Sequence, residues 1–454
     1  MATVIPIHFV SSKVYPRLTS GHFNNWRIAF VVVTQLLYFG LPWLQWGGRQ
    51  AVRFDFASMR GYLFGLTLLP QDLIYLAGSL IIAALGLFLW TMLAGRLWCG
   101  FSCPQTVYSQ IMLWLERWVE GPPNARRKLD AAPWGAEKLL KKGGTQSLML
   151  LFSLWTGLTL VGYFTPLREL AANLAAGHIG TWEALFALSY AGFTWLLAGH
   201  LREQVCKHMC PYARFQGAMF DDHTLLVAYD SARGEPRGAR RKEAANLATQ
   251  GDCVDCGLCV QVCPVGIDIR AGLQYECIGC GLCADACDEV MDKLAAPRGL
   301  IRLTTQHALE QGRRPTLWQR PRALVYGGLI AAVTLAMLTS LWLRQPFRVD
   351  ILRDRAVMAR ETQDGNIENA YTVRIFNTLP DARQYRLAVS GEGVVAAQPA
   401  EPLHVPADGE RSFIVTVAAD PNVLARGSHE VTFLLQDAAN PRLQVREAAR
   451  LLMP

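Results

Sequence analysis

Two cysteine runs stand back to back in the middle of the chain. They are Cys253-Val-Asp-Cys256-Gly-Leu-Cys259-Val-Gln-Val-Cys263-Pro264 and Cys277-Ile-Gly-Cys280-Gly-Leu-Cys283-Ala-Asp-Ala-Cys287. Both follow C-x2-C-x2-C-x3-C. That spacing wraps three thiolates round one iron-sulfur cubane from a short loop and sends the fourth to a neighbouring cubane. Cys253, Cys256, Cys259 and Cys287 would hold one [4Fe-4S] cluster, and Cys277, Cys280, Cys283 and Cys263 the other. A disulfide framework needs an oxidising compartment, and zinc sites lack this interleaved pattern. The doubled spacing therefore reads as a ferredoxin-like module over about 246–296.

The rest of the chain is apolar enough to bring this module to a bilayer. It is 51% hydrophobic over 454 residues. Five stretches reach the roughly 20 apolar residues a crossing needs: Ile28–Gly48, Leu73–Leu93, Ser147–Leu167, Ala184–Leu201 and Ala323–Leu343. Trp26, Trp43, Trp46, Trp90, Trp182 and Trp342 sit near their ends, where amphipathic rings prefer the interface. The N-terminal segment shows no apolar core and cleavage site of a signal peptide.

The formal charge of +7 could suit nucleic acid or anionic lipid. Because the bases flank apolar spans, the positive-inside rule explains it better, and no nucleic-acid partner is expected. Arg96, Arg117, Arg126, Arg127, Lys128, Lys138, Lys141 and Lys142 crowd the second inter-span segment. The first holds only Arg49, Arg53 and Arg60, and the third only Arg168. This places the N-terminus and the cysteine module in the cytoplasm and the C-terminus outside. All 12 cysteines precede residue 288, so thiols fall on the reducing side.

The expected organisation is a cytoplasmic segment (1–26) and a four-helix transmembrane region (27–222). A cytoplasmic region with the module (223–322), a fifth transmembrane helix (323–343) and a periplasmic domain (345–454) follow. Gln105–Val119 has helical spacing, ended by Pro122-Pro123. Arg126-Arg127-Lys128 reads as an orientation signal at the lipid surface. Thr224–Asp230 reads as a strand and Ser231–Gly238 as a loop. Residues 297–322 read as a basic connector with Arg313, Arg314, Arg320 and Arg322. In the last domain Tyr371–Asn377, Gln384–Val389, Ser412–Val417 and Glu430–Leu435 alternate apolar and polar residues. Ala407-Asp408-Gly409 and Asp420-Pro-Asn422 separate such runs. The pattern suggests an immunoglobulin-type β-sandwich.

Two further cysteine pairs follow spans two and four: Cys99-Gly-Phe-Ser-Cys103-Pro104 and Cys206-Lys-His-Met-Cys210-Pro211. The two hairpins form a weak internal repeat. Residues i and i+4 share a helix face, so each pair could offer two sulfurs, and together they could offer four. Soft thiolates suit Cu(I), and such pairs can also cycle between dithiol and disulfide. Small apolar packing is the plainer alternative. His208 and Met209 are open as copper ligands; His200 fits a structural role, and Met209 and Met219, though able to supply soft sulfur, fit the core better.

Several stretches resemble the cytochrome c oxidase accessory protein family (CcoG/FixG/RdxA). They are Trp98–Thr106, Arg202–Cys206 with Met209–Gln216, and Arg233–Gly238, with Cys263–Arg270 and Ala286–Lys293 in the module. Asp288 follows Cys287 where soluble bacterial ferredoxins place Pro. The resemblance implies a membrane α-helical protein with five transmembrane helices, a cytoplasmic 2[4Fe-4S] ferredoxin-like module and a C-terminal periplasmic immunoglobulin-like β-sandwich. It implies residence in a bacterial inner membrane and reduction of Cu(II) to Cu(I) for assembly of a cbb-type cytochrome c oxidase.

Copper is then a substrate that Cys99, Cys103, Cys206 and Cys210 bind or exchange electrons with. The implied partners are the lipid bilayer, a copper chaperone or transporter, and oxidase assembly factors; a homodimer is compatible. The electron donor is unnamed, since no G-x-G-x-x-G follows a strand. Two alternatives stand beside this: a quinol-linked ferredoxin relay to a partner reductase, and a non-catalytic assembly scaffold.

Overall fold

The computed structural model describes residues 13–239, 250–312, 320–344, 347–354, 359–379, 381–407 and 409–454. Arg313, Arg314, Asp408, the start of the cysteine module before residue 250, and the first twelve residues lie outside them. The chain divides into two compact units: Met1–Gln45 with Gln50–Met59 and Asp72–Thr334, and Trp46–Arg49 with Arg60–Gln71 and Leu335–Pro454.

Five helices are long and apolar enough to cross a bilayer: His22–Trp43, Leu73–Ala94, Ala136–Val161, Thr181–Leu201 and Pro321–Trp342. Leu36, Ile74, Leu80, Leu151, Phe186 and Leu335 are exposed on them, as lipid-facing side chains would be. The boundaries depart from the hydropathy reading for local reasons. Span one starts at His22, because the polar first turn is capped from elsewhere. It gives way to a 3-10 turn at Leu41–Trp43, where Pro42 lacks the amide a helix needs.

Span three starts at Ala136 rather than Ser147, since its lysines are paired. Lys142 bonds Glu120 and Asp130 at 2.7 and 2.6 Å, and Lys138 caps the carbonyls of Asp130 and Ala132. It stops at Val161, and Pro166 opens a separate helix, Leu167–Ala175.

In the first unit the segment from Asp221 through the cysteine module gathers alternate span ends. The start of span one meets Asp285. The end of span two accepts hydrogen bonds from Thr224 and Leu225. Arg320, at the start of span five, pairs with Asp221 at 3.0 Å. Arg320 is therefore a buried clamp, not part of a solvated connector. That connector also contains a strand, Ile301–Thr304, and a helix, Gln306–Gln311. The expected strand forms as Leu226–Tyr229 and pairs antiparallel with Ile301–Thr304. Ser231–Gly234 is a helical turn capped by Asp230 rather than open loop.

The amphipathic helix forms as Pro104–Glu120. Pro123 does not merely end it but begins another, Pro123–Ala131, the favoured place for proline. Arg126 on that second helix is buried in an ion pair with Glu116 at 2.6 Å. Its side chain is held inside the fold rather than at a surface.

The second unit is a two-sheet antiparallel sandwich over residues 347–453. One sheet orders Val394–Gln398, Glu410–Ala419, Ile367–Asn377 and Phe347–Arg353, with Arg360–Glu361 also on Ile367–Asn377. The other orders Leu403–Val405, Arg383–Ser390, Gly427–Asp437 and Gln444–Met453. The alternation that marks four of these strands is what fills the core: Tyr371, Val373 and Ile375, with Val415 and Val417 beside them in the same sheet, pack against Phe433 and Leu435 of the other, all essentially without solvent contact.

Candidate metal centre

The cysteine runs are shaped by left-handed backbone beside each second cysteine. In the first run Asp255 and Gly257 have φ of 52° and 66°; in the second Gly279 and Gly281 have 68° and 72°. Helices Leu258–Gln261 and Leu282–Lys293 start directly after Gly257 and Gly281. They turn the third cysteine of each run inward. The result is two cavities. One is walled by Cys253, Cys256, Cys259 and Cys287, with Tyr229 and Arg270. The other is walled by Cys263, Cys277, Cys280 and Cys283, with Cys259 at its edge. The grouping made by the fold is the interleaved one that the spacing implies.

None of the twelve cysteines is in a disulfide. Burial pushes the thiols of Cys277 and Cys287 up to about 12 and that of Cys259 to about 11. Cys263 and Cys283 are raised too, again by burial first. Such thiols are neutral near pH 7 unless a bound metal displaces the proton. Among the described residues no three His, Cys, Asp or Glu side chains close round one point for a single ion. Cysteines spread about two apolar cavities instead suit a cubane with iron at several corners. The residues present fit two [4Fe-4S] clusters.

The C-x3-C-P pairs are built alike, though neither lies on one continuous helix. Cys99 sits in the helix Leu97–Phe101, while Cys103 is extended and begins Pro104–Glu120. Cys206 sits in a π-type turn, Val205–Met209, while Cys210 is extended and begins Pro211–Met219. In each, the second cysteine's amide donates to the carbonyl before the first: Cys103 to Trp98 at 3.0 Å, Cys210 to Val205 at 2.8 Å. The proline forces the break, because it cannot continue the preceding helix but suits the first turn of the next. The weak sequence repeat is thus a structural repeat.

The two pairs meet. Cys206 lies within electrostatic reach of Cys103, Cys99 and Cys210. Burial lifts Cys99 to about 11, eased by Gln216, and Cys206 to about 12. Cys99 and Cys206 pack in the same apolar cluster as Cys263, Cys277, Cys280 and Cys283. Gly100 rests on the backbone of Cys280, where an added Cβ would come within 2.8 Å of its Cα. Arg96 donates to the carbonyls of Tyr275, Cys277 and Ala213, tying both motifs to the second cage. The four thiols are neighbours but do not by themselves form a closed four-ligand ion site. His208 is exposed, and Met209, at 56% exposed, is not a core residue; the His200 ring is tilted against Trp195, with centroids 4.4 Å apart.

Side chains that the motif reading passes over hold this arrangement. Gln105 donates to the carbonyls of Leu197 and Arg202 at 2.8 and 3.2 Å, and Gln216 reaches back to Cys99. Gln216 thus runs from the second motif to the first, while Gln105 ties the first motif to the chain just ahead of the second. The sequence signal is a glutamine within two turns after each C-P. Glu116 pairs with Arg126 and Arg202, both buried. Burial alone would raise its carboxyl, but the two arginines outweigh that and hold it below the usual carboxylate range. Asp285 accepts from the Phe23 and Asn24 amides at 3.1 and 2.7 Å, capping span one from another segment. Asp288, in place of the expected proline, accepts from the Gly299 amide at 2.8 Å.

Three family models match the chain. Residues 201–306 match a 4Fe-4S dicluster domain, 76–122 a 4Fe-4S binding domain, and 337–454 the IG-like fold at the C-terminal of FixG. Protein RdxB of Cereibacter sphaeroides is 40% identical over 425 residues, covering 91% of this chain and 87% of RdxB. Nitrogen fixation protein FixG of Rhizobium meliloti is 36% identical, covering 92% and 86%. Ferredoxin-type protein NapH of Haemophilus influenzae is 25% identical over 204 residues, 41% of this chain and 65% of NapH. Among solved structures, a FixG-related protein from Vibrio parahaemolyticus aligns with 24% of this chain and 97% of its own, at 22% identity and a TM-score of 0.22.

Proposed function

The chain belongs to the family of RdxA, RdxB and FixG, and we propose that it is a membrane-bound iron-sulfur reductase that delivers single electrons to Cu(II). Cys253, Cys256, Cys259 and Cys287 hold one [4Fe-4S] cluster; Cys263, Cys277, Cys280 and Cys283 hold the other. When bound, the clusters supply one-electron chemistry at potentials the protein can tune. The observation that carries the reading is the packing of Cys99 and Cys206 against the second cage.

The chain's own residues do the rest. Cys99, Cys103, Cys206 and Cys210 offer soft sulfur to the copper substrate, which favours Cu(I) over Cu(II). Thiols lose their protons as they ligate. Cu(II) would gain one electron and leave as Cu(I); the bound clusters would supply that electron, and a low-potential one-electron donor would replace it. Gln216 orients Cys99, and Arg96 and Gly100 keep the motif against the second cage.

The basic second inter-span segment supports placing the clusters at the cytoplasmic face of a bacterial inner membrane. Five crossings then put the immunoglobulin-like domain in the periplasm. A copper chaperone or transporter takes the Cu(I), for maturation of a cbb-type cytochrome c oxidase.

The test is anaerobic titration of reduced, purified protein with Cu(II), followed by electron paramagnetic resonance. Cluster reoxidation should match loss of the Cu(II) signal one for one. Replacing Cys99 and Cys103 together by Ala should abolish it while cluster spectra persist; an unchanged rate would remove the copper assignment. The partial likeness to NapH favours a second reading, a ferredoxin relay fed by quinol. Rapid cluster reduction by a quinol analogue, with no response to copper, would select it.

A further inference from the structure

Arg27 is a buried charge with no part in the reading above. It lies on the first turns of span one, only 3% exposed. Phe23, four residues earlier, shares its helix face. The Phe23 ring meets Gly281, where an added Cβ would come within 2.5 Å, and the Phe23 amide is held by Asp285. This face of span one is therefore pressed onto the second cysteine run. Arg27 shares a cavity with Cys206, Pro264, Val265 and Ile278. Pro264 directly follows Cys263, and Ile278 lies between Cys277 and Cys280, so Arg27 stands beside the second cage.

Its Nε and Nη1 are buried without a hydrogen-bond partner. Glu203 lines the same cavity, but among the described residues no carboxylate forms an ion pair with Arg27. Arg202, also in that wall, is committed to Glu116. A buried cation lacking counter-charge is costly. Four thiolates round a cubane supply net negative charge in either oxidation state, so the pairing is complete only with the cluster in place.

The other cage is treated differently. Its arginine, Arg270, is already neutralised by Asp268 at 2.7 Å and by Asp255. Asp288 stands beside Cys287, and Cys256 is exposed to solvent. Net charge and exposure are among the terms that set a cluster's potential, and a charge acts more strongly where water is excluded.

We propose that Arg27 raises the reduction potential of the cluster held by Cys263, Cys277, Cys280 and Cys283 above that of its neighbour, and so directs electrons inward to Cys99 and Cys206. The proposal rests on the two-cluster reading. One electron leaves the outer cluster, which is oxidised, and enters the inner one, which is reduced.

The test uses full-length protein, anaerobically purified with its iron, in redox titrations followed by electron paramagnetic resonance. Arg27→Gln should keep wild-type iron and sulfide and shift one cluster's reduction equilibrium at least tenfold toward the oxidised form, about 59 mV lower for a one-electron couple. Arg27→Lys should recover most of that shift, and Glu203→Gln should leave the potential within a few-fold of wild type. Unchanged potentials in Arg27→Gln, or equal movement of both clusters, would overturn the proposal. If Arg27→Gln loses one cluster while Arg27→Lys keeps it near the wild-type potential, the charge role stands. If both lose it, the side chain is a packing element and the proposal fails. Wild-type protein without two cubane signals would instead refute the two-cluster reading.

Discussion

The side chain of Gln216 lies against the thiol of Cys99, with Nε2 at 3.3 Å and Oε1 at 3.6 Å from Sγ. A carboxamide can accept from a thiol or donate to a thiolate, so one residue serves both protonation states. Gln216 is fully buried, and no water competes for the role. Replacing it by Leu should raise the Cys99 thiol further, since this contact is what eases the effect of burial. A hydrogen bond worth about 1 kcal/mol corresponds to roughly fivefold slower alkylation of Cys99 at pH 8, read peptide by peptide by mass spectrometry. Equal rates would mean the contact does not reach the thiolate.

Metal uptake by the paired thiols should strengthen with pH. Cys99 and Cys206 are lifted to about 11 and about 12, so both carry protons near neutrality. Each proton displaced on ligation makes apparent affinity rise up to about tenfold per pH unit below those values. Competition with a colorimetric Cu(I) chelator at pH 6.5, 7.5 and 8.5 checks this. A flat profile would show that neither thiol ligates.

Glu116 should be a stability hub rather than a redox group. Its removal as Glu116→Ala leaves Arg126 and Arg202 buried without an anion, at a cost of about 3–5 kcal/mol. Its depressed carboxyl contributes stability above the unfolded pKa of about 4.3, lost as pH falls. The gap in thermal stability between wild type and Glu116→Gln in detergent should therefore shrink below about pH 4. A constant gap would rule out the ion pairs as its source.

Gly100 sets the distance between the first C-x3-C-P motif and the second cage. Gly100→Val must displace either its own helix or the Cys280 backbone, both rigid. Expressed per iron bound, Cu(II)-driven reoxidation should slow. Wild-type kinetics would show that this approach is not on the electron path.

The cysteine cages were legible because a metal cluster dictates ligand spacing along the chain. The interleaving of Cys263 and Cys287 follows from the two runs alone. The spans were legible because a bilayer dictates length. What escaped were contacts between segments far apart in sequence. Lys138 and Lys142 extend span three only because Asp130, Glu120 and two carbonyls receive them. The helix-face reading of C-x3-C failed because proline after the second cysteine breaks the helix there. Phe347–Arg353 alternates as visibly as the four strands read from pattern. The edge strand Val394–Gln398 and the three-residue Leu403–Val405 carry too few alternating positions to stand out.

The cap that Asp285 places on span one joins residues 262 positions apart. The ribosome therefore releases the first helix to the translocon long before its partner exists. Until that partner is made, the Phe23 and Asn24 amides lack the carboxylate that caps them. The first helix therefore gains its capped start only after the second cysteine run has been made.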